Sequence, residues 1–328
     1  MMRLPSFRLL SPRSMDDVTV ALADDPASTR LVAGGTDLLP NMKRRHQSAK
    51  TLVSLRRVEA LRGIQGDGSS EVRIGAGTTL AEICRSDVVK SAYPGLHEAV
   101  SSIASPLLRN MGTLGGNLCL DTRCSYYNQT EEWREAIGYC MKECGDVCWV
   151  APGSSRCWAT SSTDAAPLLV ALGARVKLDS VRGSRVIPLE DLYADDGIAY
   201  LTKERDEILT EVLLPSSDKT KTTYLKLRRR GSIDFPVLGV GVALVQDDAG
   251  GVEDVSILLG AVRSQPTRAK AAEDRLRGGA LDDDAIAEAA QLARKPAAPL
   301  ENTDFLARWR GAMVEKFVAR ALTSLRGR

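Results

Sequence analysis

Histidine is almost missing from this chain of 328 residues: only His46 and His97 occur. Imidazole-rich metal centres and Ser-His-Asp chemistry therefore have little material to work with. An excess of one charge is missing too. Lys and Arg (44) nearly balance Asp and Glu (42), leaving a formal net charge of +2. That balance argues against a nucleic-acid or membrane-surface partner. The densest basic run, Lys226-Leu227-Arg228-Arg229-Arg230, is short and suits a solvated edge or an anionic cofactor. No apolar run approaches a membrane span, and residues 1–8 lack the apolar core of a signal peptide. The expectation is a cytoplasmic chain whose thiols stay reduced, built as two domains rather than one.

What is present is concentrated. Six of the seven cysteines and three of the four tryptophans lie between Asn110 and Pro167. That stretch opens on Asn110-Met111-Gly112-Thr113-Leu114-Gly115-Gly116-Asn117 and closes on Ser162-Thr163-Asp164-Ala165-Ala166-Pro167. Upstream, Arg30-Leu31-Val32-Ala33 reads as a strand running into Gly34-Gly35-Thr36-Asp37-Leu38. Glycines remove the Cβ atoms that would hold a phosphate away, and successive N–H groups can form an anion-binding nest. Alone, a glycine pair after a strand is more often a plain turn. The GxGxxG fingerprint is absent here.

The rest of the chain supplies the frame. Residues 15–25 read as a helix, and 51–55 and 72–76 as strands. Thr79-Leu80-Ala81-Glu82 is a capping box that starts a short helix carrying Cys84, a core cysteine. Tyr93-Pro94-Gly95 punctuates before a helix over 96–104, where His97 reads as a surface or cap residue. Asp164 is placed to N-cap the apolar helix 167–172, with Pro167 in its first turn. Strands are expected at 175–178, 184–189 and 207–215. The polar run 216–222 marks a domain boundary. Beyond it, three strands (223–228, 237–246, 252–262) precede helices near 268–276, 284–294 and 304–325. The fold class is α+β, the second domain being a three-stranded antiparallel sheet with helices.

The cysteines are spaced Cys119-x4-Cys124-x15-Cys140-x3-Cys144-x3-Cys148-x8-Cys157. Disulfides are disfavoured by the reducing compartment. Zinc favours paired knuckles, and only Cys140, Cys144 and Cys148 keep that rhythm. An iron–sulfur cluster needs four thiolates around a larger core, which irregular loops can supply, although neither common ferredoxin spacing is matched. A cysteine-dense, tryptophan-containing excursion beside a cofactor loop favours the cluster.

Together the segments Ala33–Leu38, Arg109–Asn117 and Ser162–Pro167 resemble the FAD-contact segments of the molybdenum-hydroxylase flavoproteins, such as those of carbon monoxide dehydrogenase and xanthine dehydrogenase. The resemblance covers nearly the whole chain. It implies a two-lobed FAD-binding domain of the CO-dehydrogenase flavoprotein type over 1–217 and a C-terminal domain over 222–328. It also implies that Ala33, Gly34, Gly35, Thr36 and Asp37 hold the pyrophosphate, and that Thr113, Gly115, Gly116 and Asn117 line the flavin path. Asp164, Leu209 and Lys226 are carried over as further cofactor contacts.

Family members pass from the Gly-Gly-Asn turn to the aspartate within about ten residues; here 47 positions separate Asn117 from Asp164. The inserted lobe, 118–160, is similar to that of flavin subunits of the 4-hydroxybenzoyl-CoA reductase type, where it carries a 4Fe-4S cluster. By that similarity Cys124, Cys140, Cys148 and Cys157 are the ligands. Cys119 is left to the flavin domain, and Cys144 competes with Cys148. The implied role is electron transfer without a catalytic residue in this chain. A ferredoxin would feed the cluster and FAD, and these would feed a small 2Fe-2S subunit and a large molybdenum-cofactor subunit in a dimer of heterotrimers. That large subunit would dehydroxylate 4-hydroxybenzoyl-CoA. The alternative is a flavin subunit of a substrate-oxidising hydroxylase that delivers electrons to NAD or another acceptor.

Overall fold

A computed structural model describes residues 3–326. Short runs near the N-terminus form strands β1 (Arg8–Leu10), β2 (Thr29–Val32) and β3 (Thr51–Ser54), which pair in parallel in the order β1-β3-β2. Parallel neighbours need a crossover. The helix Leu38–Lys43 lies in the one from β2 to β3, and the helix Met15–Asp24 joins β1 to β2 past β3, started by the Ser14 hydroxyl, which accepts from the Asp17 N–H at 3.2 Å. Its Val18 and Leu22 are buried with Val53 and Leu61.

A second sheet follows from β4 (Ile64–Gln65), β5 (Val72–Gly75), β6 (Arg175–Ser180), β7 (Gly183–Pro188) and β8 (Ile208–Leu214). It is antiparallel, in the order β4-β5-β8-β6-β7. Between β5 and β6 the chain runs through short helices and the cysteine stretch. Thr79 closes its capping box with Glu82. The next helix but one begins at Pro94, not after Gly95 as the sequence suggests, because Pro94 occupies a first-turn position where its missing N–H is harmless.

The third sheet comprises β9 (Thr220–Leu227), β10 (Leu238–Gln246), β11 (Val252–Gly260) and β12 (Thr267–Arg268), in the order β12-β11-β10-β9. It therefore has four antiparallel strands where the sequence suggests three. The fourth pairs only Leu258 with Arg268 and Leu259 with Thr267, too few residues to leave an alternating pattern. Helices Lys270–Leu276, Asp283–Ala293 and Ala307–Arg326 bury their apolar sides with this sheet. Residues of the third sheet, Tyr224, Ala243 and Leu258, join the core of the second around the helix Ala165–Ala171. That shared core fixes the chain after β9 against the segment that ends the cysteine stretch.

Candidate functional site

Strand β2 delivers Gly34 onto the turn that opens the cysteine stretch. A Cβ at Gly34 would stand 1.9 Å from the carbonyl oxygen of Met111, so no side chain fits there. Gly35 follows with φ +70°, in the left-handed region that glycine enters at little cost. Thr36 and Asp37 then lead into the helix Leu38–Lys43.

The second glycine segment hangs on the residues after β5. Leu80 N–H donates to the Gly112 carbonyl (2.9 Å), Leu114 N–H to Thr78 (3.1 Å) and Gly115 N–H to Ala76 (2.8 Å). The Thr113 hydroxyl caps the short helix Leu114–Leu118 by accepting from Gly116 N–H at 3.2 Å. Gly116 itself is exposed, and a Cβ there would meet only that hydroxyl.

Between the two segments lies a cleft of about 320 Å³. Ala33, Gly34, Asn110, Met111 and Thr113 line it, together with Arg56, Arg62 and Arg85. Glycine backbone and three guanidinium groups form a donor set suited to a diphosphate, with one carboxylate, Glu82, in the same lining. Sequence reasoning missed the arginines. They stand after β3, before β4 and at a helix end, where no periodicity marks them; only adjacency to the glycine strand could have pointed to Arg56.

Asn117 joins the two ends of the insertion. Its side-chain oxygen accepts from the Thr163 hydroxyl at 2.8 Å and from Ala165 N–H at 3.3 Å. Asp164, next in line, is buried. It occupies the N-cap position, but its carboxylate does not cap the helix as the sequence suggests. Thr163 serves instead, accepting from Ala166 N–H at 3.3 Å. The Asp164 carboxylate accepts from Tyr224 Oη (2.8 Å) and from Lys226 Nζ (2.9 Å). Lys226 is buried too and also donates to the carbonyls of Ser102 (3.1 Å) and Asp234 (2.9 Å). A buried ammonium needs a counter-charge more than a helix needs one further cap, which is why the carboxylate turns aside. Burial pushes the Asp164 carboxyl up, against the pull of Lys226 and Tyr224. Burial, with Asp164 beside it, holds the Tyr224 phenol well above its ordinary range. Leu209 lies in β8, buried in the shared core. Of the expected cofactor residues, Ala33, Gly34 and Thr113 line the cleft; Gly35, Thr36, Asp37, Gly115, Gly116, Asn117, Asp164, Leu209 and Lys226 do not.

The cysteine lobe leaves the flavin-like frame at a narrow neck. Arg123 and Thr160 exchange backbone hydrogen bonds of 2.8 and 2.7 Å. Inside, the described regular structure is one helix, Glu131–Ala136. Side chains do most of the holding. Buried Arg134 pairs with Glu131 (2.6 Å) and Glu143 and donates to the Arg44 carbonyl at 2.8 Å. Asn302 Nδ2 donates to the Trp158 carbonyl at 2.6 Å, tying the lobe to the C-terminal part.

Cys124, Cys140, Cys148 and Cys157 are buried, whereas Cys144 is exposed. Cys119 precedes the neck and packs against the shared core. Cys124, Cys140 and Cys157 share one buried cluster with Tyr127 and Ala159, and Cys148 is buried as well. The Ala159 N–H donates to Cys157 Sγ at 3.4 Å. Burial nevertheless pushes the free thiols up, Cys124 to about 12 and Cys157 to about 11. A bound metal centre is what would hold such sulfurs as thiolates. Among the described residues, no group of three or more His, Cys, Asp or Glu is arranged around a single ion.

A parallel sheet with a crossover helix, a five-stranded sheet carrying a glycine turn, and a cleft lined by arginines define an α+β module with an anion-suited cleft. Residues 5–217 match the family model described as "FAD binding domain in molybdopterin dehydrogenase", and residues 222–325 match the "CO dehydrogenase flavoprotein C-terminal domain". The chain belongs to the molybdenum hydroxylase FAD-binding (medium) subunit family, of the CO dehydrogenase/xanthine dehydrogenase type. It is 28% identical to the carbon monoxide dehydrogenase medium chain of Hydrogenophaga pseudoflava over 321 residues, 98% of this chain and 97% of that one. It is 27% identical to the nicotinate dehydrogenase FAD-subunit of Eubacterium barkeri over 285 residues, 85% of this chain and 82% of that one. The crystal structure of a cyanide-inactivated Cu,Mo-CO dehydrogenase superposes with a TM-score of 0.82 at 28% identity, covering 99% of both chains.

Proposed function

We propose that this chain is the FAD-carrying electron-transfer subunit of a molybdenum hydroxylase complex, and that its cysteine lobe holds a 4Fe-4S cluster. The observation that carries the second half is the group of four buried cysteines beyond the Arg123–Thr160 neck, with the fifth, Cys144, outside. FAD takes up one or two electrons and so can join one-electron carriers to a two-electron reaction. The chain's own residues bind and orient. The glycine segments leave backbone free to approach the diphosphate, and Arg56, Arg62 and Arg85 offset its charge. The Asp164–Lys226–Tyr224 group holds β9 against the helix that follows the insertion. Gly35, Thr36, Asp37, Gly115, Gly116 and Asn117 complete the proposed FAD site, with Asp164, Leu209 and Lys226 as its outer contacts. The partners would be a large molybdenum-cofactor subunit and a small 2Fe-2S subunit. The proposed division of the chain falls at the polar run between β8 and β9.

Two directions of electron flow remain open to this arrangement. A cluster-bearing lobe favours entry, from ferredoxin through cluster and FAD toward reductive dehydroxylation of 4-hydroxybenzoyl-CoA. The relatives favour exit, since they bear the names of substrate-oxidising enzymes: carbon monoxide dehydrogenase, nicotinate dehydrogenase, xanthine dehydrogenase. Those names make an oxidising complex that delivers electrons to NAD or another acceptor the better supported reading of direction. Iron, sulfide and flavin counts on anaerobically purified complex test the cofactors; about four irons and one FAD per chain beyond the partner subunit's own are expected. FAD without extra iron would remove the cluster. Steady-state assays with reduced ferredoxin and with NAD then separate the two directions.

A further inference from the structure

Between the cysteine lobe and the first glycine loop runs a line of alternating charges that ends on Asp37 of the proposed FAD site. Lys142, two residues past Cys140, is buried and donates to Asp121 Oδ1 (2.8 Å), Thr122 Oγ1 (2.8 Å) and the Gly197 carbonyl (2.6 Å). Asp121 also accepts from Gln47 Nε2 at 3.0 Å, and its charge acts through space on both Arg123 and Asp37. Arg123 closes the line with an ion pair to Asp37 at 2.5 Å, its guanidinium 3.6 Å above the centre of the Phe235 ring. Asp37 then starts the helix that the Gly34-Gly35 loop leads into and accepts from Asn41 Nδ2 at 2.9 Å.

The position of Arg123 is what gives the line a function. Its backbone forms the neck of the lobe with Thr160, the next residue is Cys124, and its side chain grips the loop at Asp37. Its Nε is buried without a partner, so the side chain is held by the ion pair and the ring rather than by a full set of hydrogen bonds. A side chain fixed by one carboxylate and one aromatic face moves if either end moves. We propose that Lys142, Asp121, Arg123 and Asp37 form an electrostatic bridge by which the state of the cysteine lobe sets the affinity of the first glycine loop for FAD. The inference rests on the FAD-site reading but not on the lobe holding a cluster. Coupling of this kind is reciprocal: whatever the lobe does to FAD affinity, FAD does to the lobe. The four residues are positioning residues. None has to touch the reacting atoms.

The test is a double-mutant cycle on the full chain with its flavin removed and FAD titrated back by fluorescence. Arg123→Gln should weaken FAD binding on the order of tenfold, and Lys142→Gln, which lies within the lobe, roughly threefold. The double variant should be weakened no more than Arg123→Gln alone, because one line carries both effects. Arg123→Lys should recover part of the affinity by keeping the charge while losing the stacked plane. Asp121→Asn serves as a second probe of the middle of the line if Lys142→Gln fails to fold by circular dichroism. Multiplicative effects in the cycle, or full affinity in both Lys142→Gln and Asp121→Asn, overturn the bridge. Iron is counted on the same samples. A coupled cycle in an iron-free chain would sink the cluster and keep the bridge, and an iron-loaded chain with independent effects would do the reverse.

Discussion

The cleft and the cysteine lobe adjoin through Asp37 and Arg123, yet they are stabilised in opposite ways. The cleft is a backbone construction. Its two glycine segments hang on ladder-like hydrogen bonds from residues 76–80 and meet where a side chain cannot fit, at Gly34 against Met111. The lobe has one six-residue helix and is held by charged side chains: Arg134 on Glu131 and Glu143, Lys142 on Asp121, and Arg156 on Asp195 outside the lobe. A backbone site tolerates little change in size at its contacts, whereas the lobe adds to its ion pairs only a small core, Tyr127 and Ala159 among the cysteines. Removing cofactors should therefore cost the lobe more order than the cleft.

The largest expected effect lies on the frame that carries both. Asp164→Ala strands the Lys226 ammonium in a buried place and should cost about 3–5 kcal/mol in chemical denaturation. A loss under about 1 kcal/mol would mean that Lys226 finds water, and that the pair does not fix β9 to the insertion's far end. Next comes Gly34→Ala. Overpacking a close backbone approach costs about 1–3 kcal/mol, and the added methyl group must part the two glycine segments. Both melting temperature and FAD content should fall together. Gly116→Val sharpens the contrast, because its Cβ meets only the Thr113 hydroxyl. The fold should survive that change while FAD content drops; retained FAD would take the turn out of the site.

These contrasts also explain what the sequence could and could not reveal. The glycine segments were legible because backbone sites need particular residue types at fixed places, as with Gly34 before a left-handed Gly35. The capping box at Thr79 was legible for the same local reason. Long strands such as β10 announced themselves by composition, but β12 spans two residues and carries no pattern. Asp164 was found for one role and placed in another, because Tyr224 and Lys226 approach from 60 residues or more along the chain. Arg56, Arg62, Arg85 and Arg123 were invisible for that reason too: a guanidinium becomes part of a site through tertiary position alone. The lobe's cysteines were conspicuous, but spacing by itself left Cys144 level with Cys148. Burial separates them in space.

That separation yields the two smallest and most discriminating predictions. With the proposed cluster in place, Cys157→Ser should remove most of its iron, since a cluster with three thiolates has lost a quarter of its anchorage. FAD should fall only in part, by way of the Arg123–Asp37 contact, and complete loss of FAD would make cleft and lobe a single site. Cys144→Ser should change neither iron, flavin nor stability, the last by no more than about 0.5 kcal/mol, because an exposed thiol outside the buried group touches neither function. Iron loss in Cys144→Ser with iron kept in Cys148→Ser would reverse the ligand set. The lobe would then have to rearrange on binding its cluster, drawing an exposed sulfur inward and releasing a buried one. Such a rearrangement would pass directly to Arg123 at the neck, so the same pair of variants also measures how rigidly the lobe is seated on the flavin loop.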